Sequence, residues 1–211
     1  MSQWVEHLIR TLGQPEPLSW QEIVFGQPEI KIHIVRLPDE NATVLVTEGM
    51  SSRPMKVPDG MEEFRYAELA CWLRDDWPLD EESLRKPEFF WPMQWLRKCA
   101  LYPHHNETWL GGPFTIMAND DPPLPLGPGT ELSCLLLLAS YHPYGKWQRT
   151  DGQHVVVYDV LPIYTEERNL ERNEGLAALL DRLQEYAISP TLHPRRVNVG
   201  LIDDQSNDTE H

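Results

Sequence analysis

Two apolar runs constrain this chain more than any other feature. "ELSCLLLLAS" (131–140) and "QHVVVYDVLPIY" (153–164) are each about ten residues long, too short to cross a membrane as helices and too uniformly apolar for a strand with one wet face. Strands of that kind must be covered on both sides. Nineteen prolines rule out the simplest alternative, a bundle of long helices, because each proline removes a donor and fixes φ. The expected fold class is therefore α/β (α+β), a mixed central β-sheet flanked by helices.

The remaining segments supply candidates for both layers. "IKIHIVRL" alternates Ile30, Ile32 and Ile34 against Lys31 and His33, the pattern of a strand with one solvated face. "ATVLVTEG" follows across the turn "PDEN" as its antiparallel neighbour, and "EFRYAELACWLR" and "FTIMAN" read as further strands. Trp4, Leu8, Ile9 and Leu12 recur at helical spacing before Gly13, and Phe89, Met93, Leu96 and Ala100 mark a second helix with Pro92 expected in its first turn. A third amphipathic helix carries Asn173, Leu176, Leu179, Leu180, Leu183 and Tyr186. "RDDWPLDEESLRKP" is expected as a solvated loop. The chain divides into an N-terminal helix and connection (1–27), one domain (28–200) and an acidic tail (201–211) expected to be disordered.

Charge and cysteine content bound the function. A net charge of −15 repels phosphate backbones and attracts a basic protein, so no nucleic-acid partner is expected. Cys71, Cys99 and Cys134 lack metal or disulfide spacing and sit in apolar segments, which fits reduced core thiols. No stretch is long enough for a membrane span and the N-terminus lacks the pattern of a signal peptide, so a cytoplasmic protein is expected.

Few residues suggest chemistry. His104, His105 and Glu107 are the best local candidates for a metal-dependent hydrolase, although adjacent histidines point in different directions. Ser133 and Cys134 lie inside a strand run without a base beside them, and "LGPGT" lacks the lysine of a phosphate loop. Glu166 and Glu167 follow Thr165 at a helix start, where a cap hydroxyl and negative charge satisfy free N–H groups. Asp159 is the odd residue, a carboxylate in an apolar strand.

"VVVYDVLPIYTEERNLERNEGLAALLDRL" resembles the suppressor of fused (SUFU) family in its order: a strand, a Thr-Glu-Glu helix start, a glycine break and a Leu-rich helix. Trp91 and Pro92 with Leu96, Tyr102, Thr108 and Gly112, then "VTEGMSSRPM" and "RYAEL", are similar to further family segments, so that the likeness spans about residues 28–200. The resemblance implies a non-enzymatic protein-binding domain without a cofactor. Animal members restrain transcription factors with this domain and a second one, and bacterial single-domain members are proposed as immunity proteins. Tyr102 matches a tyrosine that contributes to peptide binding in the animal protein, whereas Pro113 stands where that protein has an acidic residue.

The resulting expectation is an immunity protein that neutralises a basic toxin effector by direct binding, with a metal-dependent hydrolase or a regulatory scaffold for an endogenous partner as alternatives. Expected partner-binding residues are Tyr102, Asp159 and Tyr164, the exposed aromatics Trp77 and Trp109, the loop Asp120/Asp121 and the acidic loop from Asp75 to Glu82. The sequence leaves the oligomeric state open.

Overall fold

A computed structural model describes residues 2–17, 19–22 and 28–202. The tail expected to be disordered lies, from residue 203 onward, outside the described residues. Eight strands form one mixed sheet: β1 (Trp20–Glu22), β2 (Ile30–Leu37), β3 (Ala42–Glu48), β4 (Ala67–Arg74), β5 (Phe114–Ala118), β6 (Cys134–Ala139), β7 (Lys146–Gln148) and β8 (His154–Ile163). Their order is β1-β2-β3-β4-β8-β6-β5, with β7 pairing the start of β8 in line with β6. Among the strands of the described residues only β4 and β8 pair in parallel, and α2 (Pro87–His105) lies in the crossover between them.

Each face of the sheet is covered, as the uniform apolar runs require. On one side α2 lays Trp91, Met93, Leu96, Cys99 and Ala100 over Ile30, Ile32, Ile34, Leu45, Leu69, Leu137 and Tyr158. The other side is shared. There α1 (Gln3–Thr11) seals Val44, Val46, Ala70 and Trp72 with Trp4 and Leu8, while α3 (Thr165–Glu174) and α4 (Leu176–Glu185) place Leu170, Leu179 and Leu183 over Cys134, Leu136 and Ile163. Trp4 donates its ring N–H to the Thr47 carbonyl at 2.8 Å, and His7 Nε2 donates to the Tyr144 carbonyl at 2.9 Å.

Four expectations are corrected here. The solvated face assigned to "IKIHIVRL" is covered: His33 is buried and bonds the Glu48 carboxylate at 2.7 Å, and Val35 is fully buried. Pro92 lies in the second turn of α2, because the helix begins at Pro87; the carbonyl freed belongs to Glu88, on an exposed residue where water can satisfy it. The loop "RDDWPLDEESLRKP" is solvated only in part, since Trp77 and Leu79 turn inward to the main core. The third helix is two helices, separated at Gly175 with φ 90°.

Candidate protein-binding site

Strand β5 ends the sheet on one side, and among the described residues its sole strand partner is β6. The register Phe114↔Leu138 through Ala118↔Cys134 is flanked by two hydrogen bonds, Ala139 N–H to the Pro113 carbonyl at 2.8 Å and Asn119 N–H to the Ser133 carbonyl at 2.9 Å. Residues 113 and 119 thus face β6, and antiparallel alternation makes Thr115 and Met117 do the same. Phe114, Ile116 and Ala118 consequently direct both N–H and C=O away from the sheet. An edge of that kind is a template for one more strand.

A cleft of about 470 Å³ borders this edge, lined by Tyr102, the stretch 109–111 and residues 115–118. Its wall is built by the end of α2. Asn106 closes that helix by donating its side-chain amide to the Tyr102 carbonyl at 2.9 Å, Glu107 reverses the chain at φ 48°, and Gly111 turns it into β5 at φ 88°. Central Tyr158 donates its hydroxyl to the Gly112 carbonyl at 2.9 Å, tying the start of β5 to the middle of the sheet. Burial raises the pKa of that phenol and keeps it a donor. Tyr102 stands 43% exposed at the rim, and Trp109 is half-buried with its ring 6.2 Å from that of Phe64. The cleft therefore offers an aromatic wall beside unpaired backbone groups, which suits an extended peptide segment.

The fold brings together Tyr102 and Trp109 from the residues expected to bind a partner, and sets Asp120 and Asp121, both exposed, just past the end of β5. Trp77 is corrected: it is not an exposed aromatic but a core residue, donating its ring N–H to the Phe89 carbonyl at 3.1 Å and packing edge-on against Trp91. Asp159 accepts a hydrogen bond from the Tyr144 hydroxyl, which also accepts from the Trp72 ring N–H, under α1. Tyr164 is buried and donates its hydroxyl to the Arg196 carbonyl at 2.7 Å. His104, His105 and Glu107 do not converge: His104 turns inward to the Met50 carbonyl, and Glu107 reaches Lys56 at 3.4 Å. Among the described residues no three His, Cys, Asp or Glu side chains gather around a point where an ion could sit.

Two carboxylates outside the expected binding residues are structural. Glu167, expected as a solvated charge at a helix start, is fully buried because the segment after α4 folds back over it. It receives Arg196 in a two-pronged contact at 2.5 and 2.6 Å, with the N–H groups of Tyr164 and Val199 completing its shell. Thr165 is the first residue of α3 rather than its cap, and its hydroxyl bonds Ser133 at 2.7 Å. Glu68, fully buried in β4, takes hydrogen bonds from both Thr47 and Ser51 hydroxyls and from the N–H groups of Gly49 and Ser51. Burial raises its pKa and these four donors oppose the rise. The Gly49 turn that brings two of those donors has φ 112°, and a Cβ there would lie 2.0 Å from the Glu29 carbonyl oxygen. For Glu68 the sequence signal was a carboxylate inside an apolar stretch, "YAELACW", whereas Glu167 lies in the charged run "TEERN" and carried none.

Comparison with known proteins agrees with this architecture. A solved structure described as the Sufu-Fu complex superimposes with a TM-score of 0.64 at 17% identity, covering 92% of this chain and 90% of that one. No curated protein matches the sequence. The family model described as "Suppressor of fused protein (SUFU)" matches residues 26–197, which contain every strand from β2 to β8 and the whole of the β5 cleft, and the chain belongs to that family.

Proposed function

We propose that this chain is a non-enzymatic, cytoplasmic protein-binding domain that captures an extended segment of another protein along β5, and that it serves as an immunity protein by occluding a toxin effector. The observation that carries the binding mode is the alternation along β5, which leaves the backbone groups of Phe114, Ile116 and Ala118 unpaired beside Tyr102 and Trp109. Family membership supports a protein partner, and the solved relative is itself a complex with one. A net charge of −15 would speed encounter with a basic effector. No described helix is long and apolar enough to cross a membrane.

The test has two arms. Tagged protein is used to capture partners from the native host, beside an Ile116→Pro variant in which a ring replaces the outward N–H. The expected result is a partner that is retained by the parent and lost by the variant. Each captured protein is then expressed with and without the chain, and rescue of growth is expected for at least one. Capture without rescue of growth would leave a regulatory binder and refute the immunity role; capture insensitive to Ile116→Pro would refute the β5 binding mode.

A further inference from the structure

The strand topology concentrates charge at one end of the sheet. The C-terminal ends of β4, β8, β5 and β2 all lie at this end, because β5 is antiparallel to β6, β6 to β8, β2 to β3 and β3 to β4. The turn carrying Asp39 and Glu40, the exposed acids between Asp75 and Glu82, the Asp120/Asp121 loop and Glu131 therefore share one pole. Arg74 and Arg85 offset Asp76 and Glu81 there, at 2.7 and 2.5 Å, and Arg195, exposed in the cleft it shares with Glu131, is a further cation, which leaves the acids in excess. The opposite end of β5 is uncharged, running through Gly111, Gly112 and Pro113.

The free edge of β5 thus runs from a neutral end to an acidic one. Asp120 accepts the Asp121 N–H at 2.8 Å and the two side chains are exposed two and three residues beyond the last outward-facing residue, Ala118. At about 3.3 Å rise per residue, a strand laid along residues 114–118 and continued by two or three residues would reach both carboxylates. From this polarity we infer that the occupant of the edge is a segment with an apolar stretch of about five residues followed, toward one end only, by lysine or arginine. The apolar stretch pairs with Phe114, Ile116 and Ala118 and lays an alternate side chain against Tyr102 and Trp109; the basic end lies over Asp120 and Asp121. Charge thereby fixes the direction in which the segment is laid down, which backbone pairing alone does not.

This inference rests on the β5 reading above, and the experiment separates the two. A random twelve-residue display library is selected against the full chain at low salt, and recovered peptides are measured against the parent, Ile116→Pro, and Asp120→Asn with Asp121→Asn. The expected result is peptides that all lose binding to Ile116→Pro and carry Lys or Arg clustered at one end of an apolar run. The double Asn variant should bind them about tenfold more weakly at low salt, the gap narrowing to about twofold near 0.5 M salt as screening removes the charge contribution. Peptides that need Ile116 but show no basic end and no response to the Asn variant would overturn the charge inference and leave the β5 reading standing. Peptides indifferent to Ile116→Pro, or no recovered peptides, would overturn both.

Discussion

Replacing Ile116 by proline tests the register of β5 without any partner. Proline removes one backbone N–H and puts a ring in its place, so its cost depends on where that N–H points. At Ile116 it points away from β6, and the side chain is only partly buried, packing against the cluster under α3 and α4. The loss is about one methylene of cover, ~1 kcal/mol. At Met117 the same substitution removes the N–H that faces Leu135, whose residue is 1% exposed. An orphaned buried carbonyl costs ~1–3 kcal/mol, and the ring pressed toward β6 and the lost core packing of Met117 bring the total to at least ~3 kcal/mol. For a chain of this size ~1 kcal/mol moves Tm by about 2–4 °C, so Ile116→Pro should lower Tm by a few degrees and Met117→Pro by about 6–12 °C. Amide exchange gives the same contrast in the parent protein: slow at Thr115 and Met117, fast at Phe114, Ile116 and Ala118. Equal Tm losses for the two variants, or uniform protection along the five amides, would refute the assignment of the free edge.

Glu167→Ala should cost about 3–5 kcal/mol in denaturant unfolding, because Arg196 is left charged with its side chain only 7% exposed; adding Arg196→Met should recover part of that loss. Glu68→Gln should cost only about 1 kcal/mol, since its amide oxygen can take the place of Oε1 before Gly49 and Ser51 while its N–H₂ meets the Thr47 hydroxyl, which can turn to the Leu69 carbonyl; Glu68→Asp should cost more, about 1–3 kcal/mol, because the shorter side chain cannot span all four donors. His7 and His104 both have their pKa lowered by burial, so the unfolded chain takes up protons first: stability should be full at neutral pH and fall below about pH 6.5, with a shallower Tm slope in His7→Gln. Glu48 is held below the ordinary carboxylate range chiefly by its hydrogen bond from His33, so its contribution is present at neutral pH and lost below about pH 4; Glu48→Gln should flatten that acid limb in a Tm-versus-pH series.

What was legible beforehand followed periodicity. The two apolar runs became β6 and β8, and the Leu-rich segment became α4, because burial on a strand or helix face writes itself into the spacing of apolar residues. The buried second face of β2 was not legible, because Lys31 and His33 carry the polarity of a wet face and only the arrival of α1 covers it. Trp77 was misread for the complementary reason: it sits among five acids between Asp75 and Glu82, and only the fold turns its ring into the core. Of the candidate binding residues, Tyr102 was legible through family likeness, whereas Ile116 and Ala118 are proposed to bind through backbone groups that no side-chain pattern reports.

By itself the sequence determined that this chain would build a sheet covered on both sides, because runs such as CLLLLA and VVVY put apolar side chains on both faces of a strand and neither face can be left in water. Only the tertiary structure decided which strand would stand at the edge, which carboxylates would be sealed inside and which would gather at one pole. Those outcomes depend on strand order and direction, set by contacts between residues far apart in the chain, as when Arg196 reaches back 29 residues to Glu167 and buries a charge that local sequence had placed in solvent.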